Sequence, residues 1–281
     1  MLRSHFLRLL LLVPFLLSVA AAQIRFGVVD RDTVESRLKR YGGNNAEREL
    51  TVKQMFGEAG CKDISEELVK HYPPNVICVL PGETDKIILV GGHTDRVRAG
   101  DGVVDNWSSA SLLPSLFFSE NIQPPRHHTF VFVGFTGEED GLVGSAFYVK
   151  HLDDKDRSRI VAMVNLDTLA LGPTKVWATH ADKQLLGPLV GVANAMKLPL
   201  AAVNVDGVGT TDSESFAKYK IPRITIHTIT QETFPILHSA KDNFSAVKMD
   251  DYYDTYRLIA AYLAYLDEEL NTSQPPPKPT Q

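Results

Sequence analysis

Residues 87–92, IILVGG, and 130–135, FVFVGF, decide the fold. Both are continuous apolar runs, and two more follow, IVAMVNL at 160–166 and ITIHTI at 224–229. A strand with one wet face alternates apolar and polar residues, whereas a strand covered on both faces is apolar throughout. Between these runs lie stretches of helical length at 108–120, 141–151, 182–195 and 212–220. The order strand, helix, strand, helix predicts an α/β fold with a mixed, mostly parallel central sheet covered by helices. Upstream, residues 30–43 read as a helix carrying Val34, Leu38 and Tyr41 on one face before a Gly-Gly stop, and a second helix follows at 45–60. Residues 64–70 and 75–80 read as a strand pair around Tyr72-Pro73-Pro74. Residues 250–269, with Tyr256, Ile259, Leu263 and Leu266 on one stripe, read as a closing amphipathic helix. The sequence shows no internal repeat and no linker inside 24–270.

The 281 residues are 44% hydrophobic and 22% charged, an ordinary globular composition. The amino-terminal residues do not belong to the globular part. Arg3 and Arg8 precede an apolar run over 9–17 and then Ala20-Ala21-Ala22, the pattern of a secretory signal peptide over 1–22. The apolar stretch 9–22 is shorter than the roughly 20 residues that span a bilayer, which argues against a stable membrane anchor. The reading is therefore one catalytic domain over 23–270, secreted or periplasmic, and a disordered Pro-rich tail over 271–281. Without the signal peptide 27 basic residues face 34 acidic ones, a net charge of −7, so nucleic acid is not an expected partner. Cys61 and Cys78 are the only cysteines, too few for a disulfide scaffold or a Cys-based zinc site. They form either one bridge or two buried thiols, and the sequence leaves that open, as it does the oligomeric state.

This layout places five segments at the carboxyl ends of the predicted strands, where open parallel sheets bind ligands. GGHTD (91–95) supplies His93, VVDNWSS (103–109) Asp105, TGEEDG (136–141) Glu138 and Glu139, NLDT (165–168) Asp167 and FPILHSAKDN (234–243) His238. Each alone has a bland alternative: a hydrogen-bonded structural histidine, a carboxylate at a helix start, a turn-forming aspartate or a surface histidine. Together His93, Asp105, Glu139, Asp167 and His238 form the donor set of a two-zinc hydrolase, and Glu138 is left as general base. Asp95, two positions from His93, can accept the far ring proton and fix the tautomer that faces a metal. Adjacent side chains in the Glu138-Glu139 pair, read as a helix start, point apart, so one coordinates while the other faces the water. Two zinc ions bring four positive charges against three from Asp105, Glu139 and Asp167, and a bound hydroxide balances the rest. Cobalt and manganese suit the same donors. The other histidines, including His127, His128, His151, His180 and His227, read as structural or exposed. Trp107, Phe135 and Phe234 stand near the motifs, where aromatic residues more often belong to the core than to a specificity pocket.

The ordered set GGHTD, VVDNWSS, TGEEDGLVGS, NLDT, TTDSESF and FPILHSAKDN resembles metallopeptidase family twenty-eight across about residues 28–270. That family holds leucyl-type aminopeptidases, the glutamate carboxypeptidase group and glutaminyl cyclases. The resemblance implies a three-layer α/β/α, zinc-exopeptidase-like domain. One zinc would be held by His93, Asp105 and Asp167, the other by Asp105, Glu139 and His238. It further implies an aminopeptidase acting on peptides with a free amino terminus, with Glu138 moving the proton. Two positions depart from the pattern. Leu237 stands where relatives often carry Tyr or Trp, and Ser213 follows Asp212 where a histidine is usual. A single-zinc glutaminyl-peptide cyclotransferase and a catalytically silent binding module on the same scaffold are the alternative readings, and Leu237 favours the peptidase.

Overall fold

A computed structural model describes residues 26–272 apart from 124 and 208. The expected signal peptide lies outside the described residues, as does the tail beyond residue 272. The closing helix runs to Thr272, two residues into the stretch read as tail.

Eight strands form one mixed sheet: β1 (Asp63–Glu67), β2 (Asn75–Leu80), β3 (Ile87–His93), β4 (Thr129–Phe135), β5 (Ile160–Leu166), β6 (Lys175–Val176), β7 (Ala201–Ala202) and β8 (Arg223–His227). Their spatial order is β1-β2-β4-β3-β5-β8-β6-β7. The four central strands, β4-β3-β5-β8, are mutually parallel, and β2 joins β4 and β6 joins β8 antiparallel. All four continuous apolar runs are thus strands of the parallel centre, as burial on both faces requires. The two-residue strands β6 and β7 went unforeseen, because two residues carry no periodicity. Strand β1 is shorter than expected, ending at Glu67, since its DISEE sequence sits half-exposed at the sheet edge.

The nine helices are α1 (Arg31–Leu38), α2 (Asn45–Glu58), α3 (Ser108–Ala110), α4 (Leu113–Asn121), α5 (Val143–His151), α6 (Asp154–Arg157), α7 (Lys183–Met196), α8 (Ser213–Ala217) and α9 (Met249–Thr272), counted among the described residues. One sheet face, through Ile88, Val90, Phe130, Phe132, Val164 and Ile226, packs on α1, α2, α4, α7 and α9. The other, through Leu89, Val131, Val133 and Met163, packs on Tyr148 and Val149 of α5 and Phe216 of α8. Alternate residues of one strand point to opposite faces, so the sheet is the middle of three layers.

Several expected helices differ from the structure: α1 ends at Leu38, short of the expected 43, and α8 spans only Ser213–Ala217 of the expected 212–220. The stretch 108–120 is divided into α3 and α4. The stretch expected to start at 141 begins at Val143, so Glu138 and Glu139 occupy a turn before α5 instead of its first turn. Gly137 and Leu142, both at positive φ, close that turn. Cys61, just beyond α2, is joined to Cys78 of β2 by a disulfide, which resolves the two alternatives left by the sequence.

Candidate metal centre

Two candidate ligands stand at or directly after the end of a central strand, and the others lie in the turns and loops beyond such ends. His93 is the last residue of β3, 1% exposed. Asp167 directly follows β5, and its backbone N–H donates to Ile226 O of β8 at 3.0 Å. Glu138 and Glu139 follow β4, and His238 stands in the loop after β8 with φ 55°. Asp105 lies in the tight turn Val103–Trp107, which is held to β5 by its neighbour Asn106. The Asn106 amide donates to Leu166 O at 3.0 Å and accepts from Thr168 N at 3.0 Å.

These positions bring the five residues together as two trios sharing Asp105. In one, His93 Nε2 lies 3.4 Å from Asp105 Oδ1 and 3.8 Å from Asp167 Oδ1. In the other, His238 Nε2 lies 3.2 Å from Asp105 Oδ2 and 2.9 Å from Glu139 Oε2. Asp105 therefore turns one oxygen to each trio. Within each trio the candidate donor atoms all lie within 4.8 Å of one another, as three ligands of one ion must. Glu138 Oε2 is 3.9 Å from His93 Nε2, and Glu138 belongs to neither trio.

Further residues orient the ligands. Asp95 Oδ1 lies 3.5 Å from His93 Nδ1, an ion-pair distance. The two Asp95 oxygens also accept the backbone N–H groups of Glu138 and Glu139, each at 3.2 Å, a role in holding the turn that the sequence did not suggest. Asp167 Oδ2 accepts from Thr211 Oγ1 at 2.6 Å, and Thr211 in turn accepts from Asn165 at 2.6 Å. Asp242 accepts from Val104 N at 2.7 Å and Asp105 N at 3.1 Å, tying the Asp105 turn to the His238 loop. Asp242 stood inside the quoted motif FPILHSAKDN, four residues after His238, and that spacing was the signal available for it.

The electrostatics reflect six carboxylates, Asp95, Asp105, Glu138, Glu139, Asp167 and Asp212, sharing a small volume. Burial, aided by repulsion from Asp167, Asp212 and Asp105 against the pull of His93, pushes the Glu138 carboxyl up to about 10. Burial and Asp105 raise Glu139 to about 7. Asp105 is held well below the usual carboxylate range despite burial, because hydrogen bonds from His238 and His93 outweigh it. The bond to Asp105 lifts His238 to about 9, and His93 is raised despite burial by the charge of Glu138. Beyond burial, the raised values share one cause, a concentration of negative charge of the kind a dication offsets. The donor set fits such an ion. Two imidazoles and three carboxylates suit zinc, and the buried Glu139 Oε1 has no hydrogen-bond partner among the described residues.

A cavity of about 380 Å³ opens on the trios, lined on its far side by Trp177, Val205, Ile229, Phe234 and Leu237. Phe234 is 39% exposed there, whereas Trp107 and Phe135 are core residues. His227, read from the sequence as structural or exposed, lines the cavity wall. Its Nε2–H donates to Val203 O at 2.9 Å and its Nδ1 accepts from Ile229 N at 3.1 Å, and burial lowers it to about 4, so it stays neutral. His180 stacks on Trp177 behind that wall. Asp212 is fully buried, neither of its oxygens has a hydrogen-bond partner among the described residues, and burial raises it to about 7.

Residues 75–263 match the model of peptidase family M28. A protein of Aspergillus oryzae named probable leucine aminopeptidase 2 is 33% identical over 90 residues, 32% of this chain and 18% of that protein. The chain thus spans about a fifth of the length of that relative. Among solved structures, the LapA aminopeptidase of Legionella pneumophila superposes with a TM-score of 0.72 at 20% identity, over 85% of this chain and 72% of that one. A glutaminyl cyclase from an Acidobacteriales bacterium superposes with a TM-score of 0.71 at 17% identity, over 89% and 98%. At these identities both likenesses speak for the fold.

Proposed function

The chain belongs to peptidase family M28, and from that membership we propose that it is an exported zinc-dependent aminopeptidase. In this reading two ions bind, one at His93, Asp105 and Asp167 and one at Asp105, Glu139 and His238. The observation that carries it is the pair of trios sharing Asp105, with Glu138 beside them and committed to neither. A carboxylate with one oxygen toward each of two imidazoles is placed as a ligand shared by two neighbouring ions would be. Zinc bound in both trios would supply Lewis acidity toward a peptide carbonyl and acidify water.

The protein's own residues supply the rest. Dications beside Glu138 would offset the burial and carboxylate repulsion that raise it and leave it ionised, so that Glu138 takes the proton of the attacking water and passes it to the leaving amine nitrogen, a task for a carboxylate within reach of the water and free of other bonds. Asp95 holds the turn that aims Glu138 and Glu139. The surplus of carboxylates favours a free α-ammonium group at the same mouth, which selects peptides by their amino terminus. The cavity wall of Trp177, Val205, Ile229, Phe234 and Leu237 favours an apolar first side chain. Export rests on the basic, apolar and small-residue pattern of residues 1–22. Among the described residues no helix is long and apolar enough to cross a membrane.

The test is a product mass spectrum of the zinc-loaded chain from Gln23, incubated with one peptide beginning Gln-Leu and one beginning Leu-Leu. Free amino acids, released faster from the Leu-Leu peptide, are the expected result. Loss of one ammonia from the intact Gln-Leu peptide would instead establish the cyclase, and two unchanged peptides would leave the binding module.

A further inference from the structure

Arg48, in the opening turn of α2, is completely buried, and no carboxylate pairs with it among the described residues. Its guanidinium donates only to backbone carbonyls. Nε reaches Thr94 O at 2.7 Å, Nη1 reaches Tyr41 O at 3.2 Å and Asp101 O at 3.1 Å, and Nη2 reaches Gly102 O at 3.0 Å. The group also lies over the Trp107 ring, 4.9 Å from its centre. Burying a charge without a counter-ion is expensive, so a fold that keeps one must gain something from its geometry.

What the guanidinium touches is informative. Thr94 follows His93 directly, Asp101 and Gly102 lead into the turn of Asp105, and Trp107 closes that turn. One rigid, planar fork therefore spans the segments bearing the two ligands. Asp242 grips the same turn by its amides, as described above, and its own carbonyl accepts from Asp101 N at 2.7 Å. The stretch 101–105 is thus held by its carbonyls from α2 and by its amides from the His238 loop. Gly102, at φ 60°, makes the turn sharp enough for both, and a Cβ there would meet Arg96 Cβ at 2.5 Å.

We propose that Arg48 is a positioning residue of the metal centre, setting the separation between the His93 and Asp105 segments so that both trios are preformed. Residue 48 lies outside the stretch 75–263 matched by the family model, so this makes the amino-terminal helical segment part of the site. The inference rests on the metal reading above.

The experiment measures zinc affinity of the chelator-stripped chain from Gln23 by competition with a chromophoric chelator, alongside thermal unfolding. The variants are Arg48→Met, Arg48→Lys and, as a control in the same helix, Met55→Ala, a core residue away from these bonds. Arg48→Met is expected to weaken zinc binding roughly tenfold or more, the usual size of an outer-shell effect. Arg48→Lys keeps the charge but cannot reach four carbonyls from one ammonium, so its loss should be intermediate. Met55→Ala should lower Tm and leave zinc affinity unchanged. A folded Arg48→Met with unchanged or tighter binding would overturn the proposal, and tighter binding would show that the charge matters only as repulsion of the metal. An equal affinity loss in Met55→Ala would also overturn it, reducing Arg48 to general stability. If Arg48→Met does not fold, Arg48→Lys decides, and wild-type affinity there overturns the proposal. Failure of the wild-type chain to bind zinc would sink the metal reading itself, a result separable from all of these.

Discussion

The two halves of the candidate metal centre use the same side-chain types in different surroundings. His93 is 1% exposed at the end of β3, its Nε2 facing Asp105, Glu138 and Asp167 at 3.4–3.9 Å. The His238 side chain is 56% exposed on a loop, its Nε2 facing Asp105 and Glu139 at 3.2 and 2.9 Å. In the buried half His93 and Asp167 stand at the ends of β3 and β5, whose register the parallel sheet fixes through ladder hydrogen bonds. The exposed half is built partly from a loop and opens onto the cavity. In the proposed function a rigid half and an accessible half, sharing one carboxylate, would give one position for holding and another for receiving a substrate.

Removing what the halves share should do the most damage. Asp105→Asn takes a charged oxygen from both trios, so both zinc equivalents should be lost, with activity down by at least about a thousandfold. Metal analysis of the purified variant checks this, and two retained equivalents would show that Asp105 does not bridge. A residue in neither half should act on turnover alone. Glu138→Gln should keep its metal content while turnover falls by at least about a hundredfold, and near wild-type turnover would remove Glu138 from its role. The smallest change should come from His238→Ala, which opens only the exposed half. One equivalent should remain on His93, Asp105 and Asp167, and the Tm of the metal-free protein should move by less than about 2 °C, as for other exposed positions. Loss of both equivalents, or of the fold, would erase the distinction between the halves.

How far the sequence carried differs along the chain. The parallel centre was legible because burial on both faces leaves a continuous apolar signature, and the ligand motifs were legible because each follows one of those runs. The edges were not: β6 and β7 span two residues each, and β1 carries polar residues on both faces. Within the site, His93, Asp105, Glu138, Glu139, Asp167 and His238 were named from their motifs, but their supports were harder to see. Thr211 and Asn106 look like ordinary polar loop residues until the loops are folded against β5. Arg48 offered a faint signal, a charged residue four positions before Val52 on the apolar face of α2. Such a residue usually reaches past the core to solvent, and no local pattern says that this one stays inside.

The sequence by itself determined the alternation of buried strands and helices, and with it the edge at which ligands could gather, because period and burial are local properties. It also named the candidate donors, which the fold brings together. Only the tertiary structure decided that Asp105 turns one oxygen to His93 and the other to His238, that Asp95 grips the turn of Glu138 and Glu139, and that Cys61 pairs with Cys78. Those are distances between residues tens to more than a hundred positions apart in most cases. They are set by strand register and by the packing of loops on β5 and α2, which no window of the chain contains.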